Sequence, residues 1–163
     1  MTVIRPAQEC DLTSILDIYN QGILDRIATL DEEPRDLEYM KDWFKSRSSR
    51  YAVLVSEIDS GEIGGWASLN PYSHRCAYAG VADLSIYIRR DLRGLGLGST
   101  LLSELERVAR TNGFHKIVLM TFPFNPAGQG LYRKMNYRCV GIFQNQGKLD
   151  EQFVDVMAME KLL

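Results

Sequence analysis

A chain of 163 residues is long enough for one domain with a sizeable core and too short for two ordinary ones. Its 45% hydrophobic and 25% charged residues exclude a disordered, collagen-like or coiled-coil chain. Nineteen basic against twenty-one acidic side chains leave a formal charge of −2, without the bulk positive field that sequence-independent nucleic-acid binding needs.

The opening MTVIRPAQECDL carries an arginine, a proline and acids where a signal peptide has an apolar core. No long apolar run follows, so a cytoplasmic protein with neither membrane nor nucleic acid as partner is expected. Thr2 to Arg5 is β-prone and Pro6 stops it. Asp11 then stands as a helix N-cap before Leu12, Ile15, Leu16, Ile18 and Tyr19 at helical spacing. Residues 22–35 read as an irregular, mobile cover. A second amphipathic helix follows, with Leu37, Met40, Trp43 and Phe44, the two aromatics packing it onto the core. Tyr51 to Ile58 and Glu62 to Leu69 form a hairpin across Asp59-Ser60-Gly61, and Pro71 closes its second arm.

Val81 to Arg89 is the most strand-like segment, with Asp83, Ser85 and Tyr87 on one face and Ala82, Leu84, Ile86 and Ile88 on the core face. A glycine-punctuated loop from Arg93 to Gly98 opens a helix striped with Leu101, Leu102, Leu105 and Val108, which ends near Asn112-Gly113. Lys116 to Phe122 is another strand, Pro123 to Gly128 a loop and Leu131 to Met135 a short helix. Residues 138–145 and 152–160 pair as a final hairpin around Gly147. The order predicts one α/β domain over residues 1–163, a mixed sheet flanked by helices on both faces, with a parallel crossover near the middle.

Cys10, Cys76 and Cys139 form no C-x-x-C pair and are odd in number, which predicts reduced, buried thiols rather than disulfides or a zinc site. Two histidines, His74 and His115, give a metal site or an imidazole-based triad almost no raw material, so no metal is expected.

Glycines 94, 96 and 98 between strand and helix either permit a tight turn or let successive N–H groups converge on an anion at the helix N-terminus. No lysine follows Gly98 as a P-loop requires, and G-x-G-x-x-G fails because no glycine stands at 99 or 101. The spacing Arg93-x-x-Gly96-x-Gly98 resembles the acyl-CoA pyrophosphate loop of the GNAT superfamily of N-acetyltransferases. The element order is similar to that fold from end to end. Asn125 to Tyr137 (NPAGQGLYRKMNY) is similar to the family's N-x-x-A-x-x-L-Y-x-x-x-G-F pattern, with Gly128 for the small residue, Asn136 for glycine and Tyr137 for phenylalanine. IRPAQECDL near the start, PYSHRCAY from Pro71 to Tyr78, VADLSIYI and the Lys148, Asp155-Val156 tail together resemble the phosphinothricin and arsinothricin N-acetyltransferase branch.

The resemblance implies acetyl-CoA as cosubstrate and a small amino acid that mimics glutamate, such as phosphinothricin, arsinothricin or methionine sulfoximine or sulfone, acetylated on its α-amino group. It also implies a homodimer. The diphosphate cradle would comprise Arg93, Gly94, Leu95, Gly96, Leu97, Gly98 and Ser99; backbone groups of Ile86, Tyr87 and Ile88 would pair with pantetheine, and Asn125 would brace its amide. Asp83, where relatives usually have glutamate, is the candidate proton acceptor, its bland alternative being a buried acid satisfied by backbone or Arg75. Tyr132 is the candidate acid for the departing thiolate or else a core aromatic. Arg75 and Tyr78 fall in the segment expected to contact the acceptor's acidic end, Arg75 as a bidentate anchor or else a surface arginine. His74 reads as solvated, and Arg89 and Arg90 flank the loop. Two other readings stay open: an acetyltransferase acting on a protein N-terminus or lysine, and a catalytically silent acyl-CoA sensor, which the shorter Asp83 would fit.

Overall fold

The computed structural model describes residues 1–163. In chain order the elements are β1 (Val3–Pro6), α1 (Leu12–Asp25), α2 (Leu37–Lys45), β2 (Val53–Glu57), β3 (Ile63–Pro71), β4 (Val81–Ile88), α3 (Leu97–Thr111), β5 (Lys116–Thr121), α4 (Pro126–Lys134), β6 (Arg138–Leu149) and β7 (Gln152–Leu162). Seven strands form one sheet in the order β1-β2-β3-β4-β5-β7-β6. Every pairing is antiparallel except β4 with β5, which α3 joins as a crossover. The mixed sheet with helices on both faces is the architecture expected from the element order.

Alternation along the central strands loads both faces of the sheet. Leu54, Ala67, Leu69, Ala82 and Leu84 meet Leu101, Leu102, Leu105 and Ala109 of α3 on one side. Val53, Val55, Ile63 and Trp66 meet Leu12, Ile15, Ile18 and Met40 of α1 and α2 on the other, with Trp43 and Phe44 packed against them as expected. Tyr87 belongs to this second core: its ring stacks on Trp66 at 5.0 Å and meets the edge of Tyr19 at 5.1 Å. The face of β4 that carries Asp83 is therefore polar only over its first half.

Three boundaries differ from the sequence reading. Helix α1 continues through Gly22 to Asp25, because a Cβ at Gly22 would lie 3.1 Å from the Tyr87 ring; the glycine serves close helix–strand packing, not a break. Helix α4 starts at Pro126, five residues before the expected start. Asn125 caps it by accepting from Gly128 N–H at 3.1 Å, and the Asn-Pro pair is an N-cap followed by a first-turn proline that could have been read from the sequence. The last hairpin turns at Asp150 and Glu151, at φ 47° and 66°, not at Gly147. Gly147 lies in β6, where a Cβ would stand 2.7 Å from Leu30 Cδ1. The cysteines are also a correction: all three are free but exposed, since Cys10 lies in a helical turn before α1, Cys76 in the β3–β4 connection and Cys139 on the edge strand β6.

Candidate active site

Strands β4 and β5 pair only over Val81 to Asp83 against Lys116 to Val118. Beyond Asp83 the two strands part, and the edge of β4 from Leu84 to Ile88 faces a cleft of about 720 Å³. Such an edge offers unpaired backbone N–H and C=O groups to an extended ligand. The far lip is the loop after β4 and the start of α3. Gly94 and Gly96 hold φ of 78° and 86°, which side chains rarely adopt, and Gly96 occupies the N-cap position without any side-chain cap. The first-turn N–H groups of α3 have no carbonyl one turn back within the helix and point outward with the positive end of its dipole. Gly98 is a glycine for a different reason: a Cβ there would stand 3.1 Å from Leu131 of α4.

This lip is fastened to α1. Asp25, at the end of that helix, accepts from Arg90 Nη2 and Arg93 Nη1, each at 2.6 Å, and the pair of guanidiniums holds its carboxyl below the usual range. Arg93 also reaches Ile88 O at 3.1 Å, whereas Arg89 pairs with Asp91 and Glu62. Gly22, Ile27 and Ala28 roof the cleft.

At the near end, burial pushes the Asp83 carboxyl up to about 6, against the opposing pull of hydrogen bonds from Asn70 Nδ2 (3.2 Å) and the Leu84 backbone. Tyr132 of α4 is raised well above the ordinary phenol value, first by burial and then by the charge of Asp83. It is neutral at physiological pH, and its ring meets the edge of Tyr137 at 6.0 Å.

Of the residues expected from sequence, Asp83, Ile86, Tyr87, Ile88, Arg93, Gly94, Gly96, Gly98, Ser99, Asn125 and Tyr132 all line this one cleft. Leu95 projects into solvent and Leu97 into the core, so only their backbones belong to the lip. Arg75 and Tyr78 do not line the cleft. They lie in the connection between β3 and β4, where Arg75 is exposed and Tyr78 packs edge-on to Tyr72 at 6.2 Å. The roof residues fall in the segment 22–35 read from the sequence as a cover, whereas sequence reasoning missed two residues behind Asp83, Asn70 and Arg47. Asn70 had a weak signal, being the cross-strand partner of Asp83, while nothing in the local sequence marks Arg47.

A mixed sheet split at its parallel pair, with outward helix N–H groups on one lip and a partly buried carboxylate at the other, is the frame of the N-acetyltransferase class. The sequence model of the Acetyltransferase (GNAT) family matches residues 15–137, and the chain belongs to that family, whose members use acetyl-CoA. The chain is 34% identical to an L-methionine sulfoximine/L-methionine sulfone acetyltransferase of Pseudomonas aeruginosa, over 96% of this chain and 92% of the relative. It is similar to a GNAT superfamily phosphinothricin acetyltransferase from Sinorhizobium meliloti, solved in complex with AcCoA, with a TM-score of 0.93 and 28% identity over 99% of this chain and 88% of that one. It is also similar to a ribosomal-protein-alanine N-acetyltransferase from Brucella melitensis, with a TM-score of 0.94 and 31% identity over 99% of both chains.

Proposed function

We propose that the protein acetylates the α-amino group of a small amino acid that mimics glutamate, of the phosphinothricin, arsinothricin or methionine sulfoximine and sulfone kind, using acetyl-CoA. The split between β4 and β5 carries this reading, because it joins a glycine-built anion cradle, an unpaired strand edge and a partly buried acid within one cleft. The donor set fits the coenzyme: outward N–H groups at the start of α3 suit a diphosphate, and the β4 edge suits an amide-bearing chain. Acetyl-CoA supplies a thioester whose acetyl carbon is open to attack by an amine.

The chain's own residues do the rest. Backbone groups from Gly94 to Ser99 hold the diphosphate, with Arg93 beside them, and backbone groups of Ile86, Tyr87 and Ile88 pair with the pantetheine amides while Asn125 lines the same wall. An α-ammonium is mostly protonated at neutral pH, so Asp83 takes its proton, directly or through one water. A carboxyl pushed up to about 6 is still largely ionised at neutral pH and is a stronger base than an ordinary aspartate. Tyr132, neutral because it is buried, donates its hydroxyl proton to the departing sulfur. Arg75 and Tyr78 receive the acceptor's acidic end, which requires the acceptor to reach past Asp83 to the β3–β4 connection.

We read residues 1–163 as one acetyltransferase domain, which the single seven-stranded sheet supports. A homodimer is supported by the edge strand β6, where Val140, Ile142 and Phe143 stand about half exposed. A cytoplasmic setting is supported by three exposed free cysteines, which suit a reducing compartment; no helix is long and apolar enough to cross a membrane. The deciding assay follows free thiol while purified protein and acetyl-CoA meet a panel of glutamate analogues, ordinary amino acids and a peptide with N-terminal alanine. Fastest release with the glutamate analogues upholds the proposal. Release with the peptide alone transfers the protein to the N-terminal class, and no release with any acceptor overturns the proposal, leaving the sensor reading only if acetyl-CoA still binds.

A further inference from the structure

The amide of Asn70 has all four of its hydrogen-bonding positions in use. Its Nδ2 donates to Asp83 Oδ2 at 3.2 Å and to Ser85 Oγ at 3.1 Å, and its Oδ1 accepts from Ser68 Oγ at 3.0 Å and Arg47 Nη2 at 3.0 Å. Ser68 and Ser85 are hydroxyls, which donate or accept equally well and leave the amide free to turn. Arg47 is different, because a guanidinium has donors only. It forces Oδ1 to its own side and thereby turns the NH₂ group toward Asp83.

Arg47 is itself held in one place. Its Nε donates to Tyr51 O at 3.2 Å, its Nη2 also donates to Leu69 O, and its guanidinium lies 4.5 Å over the ring of Trp43. We propose that Arg47 and Asn70 are positioning residues for Asp83: the guanidinium just beyond α2 fixes which way the Asn70 amide faces, and Asn70 then orients and stabilises the ionised carboxylate at the cleft. Without Arg47 the amide can turn its oxygen toward Asp83, which favours the protonated carboxyl. The other groups that bear on Asp83 are Tyr132 from α4, the Ser85 hydroxyl through Asn70 and the Leu84 backbone on β4 itself; its partner on β5 is the apolar Val118.

The kinetic consequence rests on Asp83 being the proton acceptor, but the coupling can be read without turnover. The test is a ¹³C-carboxyl NMR titration of Asp83 in the wild type, Asn70→Ala, Arg47→Met and the double variant. Each single variant is expected to raise the Asp83 midpoint by about one unit, the worth of one hydrogen bond to a charged group. The double variant should rise no further than Asn70→Ala alone, because Arg47 acts through Asn70. Singles that add would show a direct charge effect and overturn the proposal, as would a midpoint unmoved in Asn70→Ala. Should Arg47→Met fail to fold, Asn70→Asp keeps an ionic partner for Arg47 and sets a second carboxylate against Asp83; a midpoint unmoved there also overturns it. The acid limb of kcat/KM should move with the NMR midpoint. An NMR shift without a kinetic shift upholds the coupling and removes Asp83 as the base.

Discussion

At the loop end of the cleft the ligand-facing groups are backbone amides from Gly94 to Ser99, delivered by six consecutive residues. At the other end they are the side chains of Asp83 from β4 and Tyr132 from α4, with Asn70 from β3 and Arg47 from beyond α2 standing behind Asp83. Backbone donors need only that the chain bend sharply, so they leave a compact glycine signature. Side-chain networks need burial, register and charge to agree across distant segments, and they leave almost none. The two ends should respond differently to change.

The largest effect is expected from Asp83→Asn, which should lower kcat/KM by about 10²–10⁴ with little change in the KM for acetyl-CoA. In the wild type kcat/KM should rise with pH through about 6, as the buried carboxyl loses its proton, and Asp83→Asn should lose that limb. A residual rate close to wild type would remove Asp83 from the chemistry. Tyr132→Phe should follow, with a loss in kcat of about 10². Rapid-quench measurement of the chemical step separates that loss from slow product release.

The same substitution at Asp83 should stabilise the fold. The folded-state value lies above the ordinary 3.8, so this group's contribution to stability is complete below pH 3.8 and is lost as pH rises through about 6. Asp83→Asn removes that loss and is expected to gain on the order of 3 kcal/mol at pH 7.5, with the gap closing near pH 4. Urea denaturation at the two pH values measures it. The smallest effect should come from the loop end. Gly96→Val forces a branched side chain to φ 86° at a cost of about 1–2 kcal/mol. The KM for acetyl-CoA should rise about tenfold, while the acid limb set by Asp83 stays in place.

The contrast also explains what could be read in advance. The β4, loop and α3 sequence was legible because alternation, glycine spacing and a helical stripe act locally, and the element order then yielded the whole sheet. Asn125 and Tyr132 stood out only through the resemblance of their segment to the family pattern, although the Asn-Pro pair that starts α4 at Pro126 is a local capping signal. Gly22 and Gly147 misled because each accommodates a remote side chain, Tyr87 or Leu30, which only the folded chain brings near. Tyr87 looked like part of a polar face because alternation records sidedness and cannot say that α1 and α2 cover the second side. Arg47 was invisible for the same reason: its partner Asn70 lies 23 residues further on.

Backbone amide shifts recorded while acetyl-CoA is titrated into the ¹⁵N-labelled protein put the claim of a cleft with a cradle at one end and an acid at the other to its most direct trial. The largest changes should fall on Gly94 to Ser99 and on Leu84 to Ile88, with smaller ones at Asp83 and Tyr132. Saturable changes centred on another surface, with these residues silent, would contradict it.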